Sequence, residues 1–369
     1  MKRTGFVWDE RYMWHDTGRR VGPAWPVGWV EPIAMTESPE SKRRLRNLLD
    51  ASGLLDRLIP IRPRAATESE LLRFHTPGYI AKIQTLSADN GGDGGDALTP
   101  FGPGSYEIAL LSAGGAMSAV DAVLDGLVDN VYALIRPPGH HAERDRGRGY
   151  CLFANAALAA MHAQQARGID RVAIVDWDVH HGNGTQQAFY EDPTVLTISI
   201  HQDGKFPPSS GGLGENGTGA GRGFNLNVPL AAGSGDGAYI AAFAQVVRPA
   251  LDAFRPDLIL VASGLDANAL DPLGRMMCTS EVYRVMTQTM LDAADQWCNG
   301  RLVVIHEGGY APEYVPFCGL AVIETLCGER SKAFDPFLGL FSVYPGQELT
   351  PWQEMVITEA ASLVVRIMP

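Results

Sequence analysis

The sequence predicts an α/β protein with a largely parallel sheet covered by helices on both faces. Three observations predict it. Val- and Ile-rich runs at 131–135, 172–176, 194–200, 258–263 and 302–306 are short and apolar throughout, as strands buried on both faces are. Stretches with helical spacing lie at 107–126, 153–168, 237–254 and 280–298, so strand and helix alternate in the way that parallel crossovers require. There is no repeat of fixed period, and the glycine-rich segments 88–96 and 209–223 read as long loops, which predicts a single domain over 1–369.

Composition narrows the function. A hydrophobic share of 46% and a charged share of 20% over 369 residues suit a globular protein with a sizeable core. A net charge of -12 with no basic patch argues against nucleic acid as a partner, because phosphate binding needs clustered cations. The excess acid suits either a cationic substrate or simple solubility. The start, MKRTGFVWDERYMWHD, lacks the apolar stretch of a signal peptide, and no apolar run is long enough to predict a membrane span. The five cysteines lack CxxC spacing, which suits reduced thiols, a cytoplasmic location and no role in metal binding.

The chemistry gathers at the ends of the predicted strands. The first runs into RPPGHHA, placing His140 and His141 after a rigid turn, and the second into DWDVHHGNG. There Asp176, Asp178 and His180 alternate, so a continuing strand would point all three to one face. The fourth ends in SGLDA with Asp266, and the fifth in HEGGY with Tyr310. Taken singly, each is weak, since a lone buried histidine is usually a core residue. Together they occupy the carboxyl ends of parallel strands, where α/β sheets bind ligands. Asp178, His180 and Asp266 supply the three ligands of a catalytic zinc site with an open position. A two-metal site using Asp176 as well is the second reading. It would call for a carboxylate two positions after Asp266, and Asn268 stands there.

With RPPGHHA, GYC, DWDVHHGNGTQ, SGLDA followed by DPLG, and EGGY in this order, nearly the whole chain resembles the histone deacetylase superfamily. HGNG and EGGY, with Asn183 and Glu307, look more like the class II branch and its bacterial histone deacetylase-like amidohydrolases. The resemblance implies a three-layer αβα domain with a central, mostly parallel eight-stranded sheet, the arginase/deacetylase fold. It implies one catalytic zinc on Asp178, His180 and Asp266. His141 would be general base and acid with Asn183 as partner, His140 would be held cationic by Asp176, and Tyr310 would donate to the oxyanion. It implies one or two potassium ions on backbone carbonyls, one at Asp176, Asp178, His180, Ser199 and Ile200, the other at Phe189, Asp192, Val195 and Phe224. Gly149, Tyr150, Phe206 and Gly308 would contact substrate, and Asp96 would grip it at the rim.

Leu265, Asn268 and His306 depart from what is common in the family. They remove no catalytic group but bear on substrate preference. The expected function is zinc-dependent hydrolysis of an N-acyl amide: acyl-lysine, acylpolyamine or a small-molecule amide. The alternative is a small neutral or xenobiotic amide as substrate rather than a protein. A non-catalytic metabolite sensor of the same fold is the rival, and it predicts the loss of a catalytic group. Relatives suggest a homodimer or homotetramer, and the helical tail 351–369 would either serve such an interface or pack on its own domain.

Overall fold

The computed structural model describes residues 2–20, 28–365 and 367. Among the described residues ten strands are formed: β1 (Thr4–Val7), β2 (Ile59–Ile61), β3 (Gly92–Asp93), β4 (Pro100–Phe101), β5 (Asn130–Ala133), β6 (Val172–Asp176), β7 (Val195–Gln202), β8 (Asn225–Leu230), β9 (Leu258–Ser263) and β10 (Leu302–His306). Eight of them make one sheet in the order β2-β1-β5-β10-β9-β6-β7-β8, and β3 and β4 pair separately. Every pairing within the large sheet is parallel.

The five predicted strands are present, and three more join them. Their sequences explain why they were not legible. β1 is short and contains Gly5, while β2 and β8 carry Pro60 and Pro229 and lie at the two edges of the sheet. Proline cannot donate to a ladder, so it is tolerated at edges and hides a strand from pattern reading.

Along the inner strands alternate residues face opposite layers. Tyr132, Val175, Val261 and Val304 join one apolar cluster, and Val131, Ile174, Leu260 and Ile305 join the other. Helices fill both sides. The helix Ser105–Leu124 is long and apolar enough to cross a membrane by length and composition, but most of it is buried against the sheet. The predicted helix over 237–254 forms with a π-helical segment, Phe243–Val247, ahead of Pro249. A proline there has no N–H for the usual bond four residues back, and a π segment absorbs the mismatch. In the tail, the helix Pro351–Val364 starts with a capping box from Thr350 and Gln353 and buries Ile357, Ala360 and Val364 in the first cluster.

The four central strands, β5, β10, β9 and β6, are the ones whose carboxyl ends carry the polar motifs.

Candidate active site

The strand β6 stops at Asp176, so strand geometry does not carry Asp178 and His180 to the site. Carboxylate-to-backbone bonds replace it. Asp176 Oδ1 accepts from the Asp178 N–H at 3.0 Å, and Asp178 Oδ1 accepts from the His180 N–H at 2.9 Å. Each acidic side chain thus shapes the turn that presents the next one, as aspartates do in turns. The alternate spacing survives for a reason other than pleating.

Asp178, His180 and Asp266 converge, with one ligand atom from each lying within 4.8 Å of the others. His180 Nδ1 is 3.0 Å from Asp178 Oδ1 and 3.2 Å from Asp266 Oδ2. The backbone aims the carboxylates: Val179 N–H donates to Asp266 Oδ1 at 2.8 Å, and Gly308 N–H donates to Asp178 Oδ2 at 2.8 Å. Gly308 must be glycine, because a Cβ there would lie 2.1 Å from Asp266 Oδ2. Asp266 Oδ2 is itself buried without a hydrogen-bond partner. Burial and the Asp178 carboxylate push Asp266 up to about 7. Against the opposing effect of burial, the two carboxylates hold His180 up to about 10. The field that retains this proton is the field a cation would meet, so the two-carboxylate, one-imidazole set fits a zinc ion.

Asn268 is consumed locally, with Nδ2 donating to Leu265 O at 2.5 Å and Oδ1 accepting from Leu270 N–H at 2.9 Å. Leu265 and His306 are likewise interior residues, the latter with Nδ1 2.9 Å from the Tyr132 hydroxyl.

The adjacent histidine rings lie 3.9 Å apart between centroids, tilted by 39°, yet differ in charge. His140 Nδ1 lies 2.9 Å from Asp176 Oδ2; burial disfavours its charge, but Asp178 and Asp176 outweigh that and push it well above its ordinary value. His141 is driven well below, by burial and by the charges of His140 and His180. Its tautomer follows from its neighbours. Asn183 Nδ2 donates to Glu143 Oε1 at 2.8 Å, which turns Asn183 Oδ1 toward His141 Nδ1 at 2.8 Å. An amide oxygen only accepts, so the proton sits on Nδ1 and the lone pair on Nε2. Tyr310 is buried, and burial together with Asp266 and Asp178 holds its hydroxyl protonated, a donor.

These groups reach a cavity of about 260 Å³ that His141, His180, Tyr310, Gly149, Tyr150 and Phe206 all line. Leu98, Lys205 and Leu273 complete it. Phe206 meets the His141 ring edge to face at 4.8 Å, and the Tyr150 and Tyr310 rings are 5.9 Å apart. Gly308 and Asp96 are not among the residues that line this cavity: Gly308 N–H is given to Asp178 Oδ2, and the Asp96 oxygens accept from the backbone N–H groups of Gly149 and Leu98, each at 2.9 Å.

Glu307, the glutamate of EGGY, reaches back to the histidine turn. Its Oε2 accepts from Gly139 and His140 N–H at 2.6 and 3.0 Å, fixing the turn that carries both histidines. Cys151 accepts from His141 N–H at 3.4 Å, and burial pushes its thiol well up, which makes it a poor metal ligand beside His140 and Glu307. Of the carbonyl sets, Ser199 pairs with Asp176 in register and Ile200 follows it on β7. In the second set Phe189 O accepts from Asp192 N–H, Phe224 O accepts from Thr197 N–H, and Val195 opens β7.

Residues 35–326 match the histone deacetylase domain family. The chain is 50% identical to a histone deacetylase-like amidohydrolase of Pseudomonas aeruginosa, across 98% of this chain and 96% of that one. It is 37% identical to the polyamine deacetylase HDAC10 of Homo sapiens, over 82% of this chain and 46% of the relative. The crystal structure of the HDA15 HD domain superposes with a TM-score of 0.86 at 34% identity, covering 99% of this chain and 95% of that one. The fold and the site thus define an enzyme class, hydrolases of the deacetylase and amidohydrolase type. This chain belongs to the histone deacetylase family and has the arginase/deacetylase fold.

Proposed function

We propose that this chain is a zinc-dependent amidohydrolase that cleaves an N-acyl amide into a carboxylate and an amine. One observation carries the reading: a neutral imidazole with its lone pair fixed on Nε2 and a protonated phenol line one cavity together with His180, whose Nδ1 lies against the buried carboxylates of Asp178 and Asp266. Zinc held by Asp178, His180 and Asp266 would supply Lewis acidity toward the amide carbonyl and the attacking water. His141 Nε2 takes the proton of the water and later returns it to the leaving amine. Asn183 keeps the other nitrogen protonated throughout. His140, cationic beside Asp176, keeps His141 neutral in the resting enzyme. Tyr310 donates to the oxyanion that develops on the substrate.

A monovalent cation, potassium, taken by carbonyls of Asp176, Asp178, His180, Ser199 and Ile200, would offset the crowded carboxylates. A second would take those of Phe189, Asp192, Val195 and Phe224. Within this chemistry, Lys205 and the absence of a carboxylate among the described cavity-lining residues favour an uncharged amide over a polycationic acylpolyamine.

The test measures amine release from an acetyl-lysine anilide, an acetylpolyamine and a simple anilide, before and after chelation and zinc return. Zinc-restored activity, highest on the anilides, is expected. Full activity in stripped enzyme would overturn the zinc mechanism, and no activity on any substrate would favour the sensor.

A further inference from the structure

The peptide bond between Gly309 and Tyr310 is held from both sides by buried side chains. Its carbonyl accepts from Ser41 Oγ at 2.7 Å and lies 3.5 Å from Lys42 Nζ. Its N–H donates to Asp271 Oδ2 at 2.7 Å. Ser41 and Lys42 open the helix Glu40–Ala51, far from Tyr310 in sequence, and both are almost fully buried. Asp271 is fixed through its other oxygen, which accepts from Leu273 and Gly274 N–H at 2.9 and 3.3 Å. Lys42 is tied to Glu37 at 3.1 Å, and Glu37 to Arg136 at 2.7 Å. The Lys42 ammonium also lies 5.3 Å from the centre of the Tyr310 ring. At φ +132 Gly309 leaves this peptide free of the restraint a side chain would impose, so its orientation depends on these partners.

We propose that Ser41, Lys42 and Asp271 are positioning residues: they clamp the Gly309–Tyr310 peptide and so set where the Tyr310 hydroxyl stands. The proposal rests on the reading of Tyr310 as oxyanion donor given above. The hydroxyl is at the far end of its side chain, so a small rotation of the peptide moves it a long way. A misplacement of about 1 Å in such a site costs on the order of 100-fold in rate. The clamp acts on the group that meets the transition state, so its loss lowers kcat and leaves KM.

The experiment is a double-mutant cycle on the whole zinc-loaded enzyme, with Ser41→Ala and Tyr310→Phe singly and together, reading kcat and KM separately. Ser41→Ala is expected to lower kcat by about tenfold, with KM within about twofold of the parent, and to cost nothing further once Tyr310 is Phe. Ser41→Thr, which returns the hydroxyl, is expected to recover most of the loss. Asp271→Asn approaches from the opposite side and should move kcat in the same direction if Ser41→Ala does not fold. An equal loss with and without the Tyr310 hydroxyl, or no loss beside an impaired Tyr310→Phe, would overturn the clamp alone. Unchanged turnover in Tyr310→Phe would overturn the reading of Tyr310, and the clamp with it.

Discussion

Two clusters of buried charge lie close together in this molecule and are built on opposite principles. In one, Glu37 faces Arg136 through bonds of 2.7 to 3.1 Å, with Lys42 at 3.1 Å, and Arg136 spends Nη1 on the carbonyls of Tyr12 and His15. In the other, Asp178 and Asp266 face His180, with only His140 Nε2 at 3.7 Å from Asp178 Oδ1 beside it and Asp176 adding a third carboxylate, and Asp266 Oδ2 has no hydrogen-bond partner. The first is compensated from within and holds structure. The second is left short of positive charge, at a cost in stability, and that deficit is what binding a cation would relieve.

The comparison breaks most directly by neutralising one carboxylate in each cluster. Asp266→Asn should reduce turnover to background while raising the melting temperature of the metal-free protein, since it removes repulsion with Asp178. Glu37→Gln should do the reverse to stability, losing about 3–5 kcal/mol in denaturant melts, because Arg136 and Lys42 stay buried without their counter-ion. Equal stability effects from the two substitutions would erase the distinction.

Acid and base should separate the clusters in the same way. Burial alone would raise the Glu37 carboxyl, but Arg136 and Lys42 outweigh it and hold it below the ordinary carboxylate range. Its stabilisation is therefore present above its unfolded pKa of 4.5 and lost as pH falls further. Asp266 has the opposite sign: raised from 3.8 to about 7, it favours the fold below pH 3.8 and loses that contribution as pH rises through about 7. Melts of metal-free protein between pH 4 and 8 should show the gap between wild type and Asp266→Asn widening upward, and added zinc should close it.

A smaller effect tests the neutrality of His141. Asn183→Asp sets a carboxylate against Nδ1, and the acidic limb of the kcat/KM profile should move up by about 1–3 pH units. An unmoved limb would detach Asn183 from the base. The smallest effect is expected at the cavity wall. Lys205→Glu should shift preference toward an acetylpolyamine by less than about tenfold, as befits a half-exposed charge of about 1 kcal/mol. Loss on every substrate alike would instead make Lys205 structural.

Legibility followed the range of the interaction. The strands β5, β6, β7, β9 and β10 announced themselves because burial on both faces demands an unbroken apolar run. β1, β2 and β8 did not, since a glycine or an edge proline is tolerated only where neighbouring strands permit it. Asp178, His180, Asp266 and the two adjacent histidines were readable because their motifs follow strand ends. Glu307, Lys205, Leu273 and the Ser41–Lys42–Asp271 clamp were not, because each acts on a residue distant in sequence or through backbone atoms that every residue has.

The sequence by itself determined the alternating α/β plan, the residues that carry the chemistry and the family they resemble. It did so because those properties depend on residue type and local order. Only the tertiary structure decided that Asp178 and His180 are presented by carboxylate-bonded turns instead of a strand. It alone gave His141 its tautomer, left Asp266 Oδ2 without a hydrogen bond and fixed the Tyr310 peptide from two sides. Hydrogen-bond partners and burial are set by which distant segments meet, and that is a property of the folded chain.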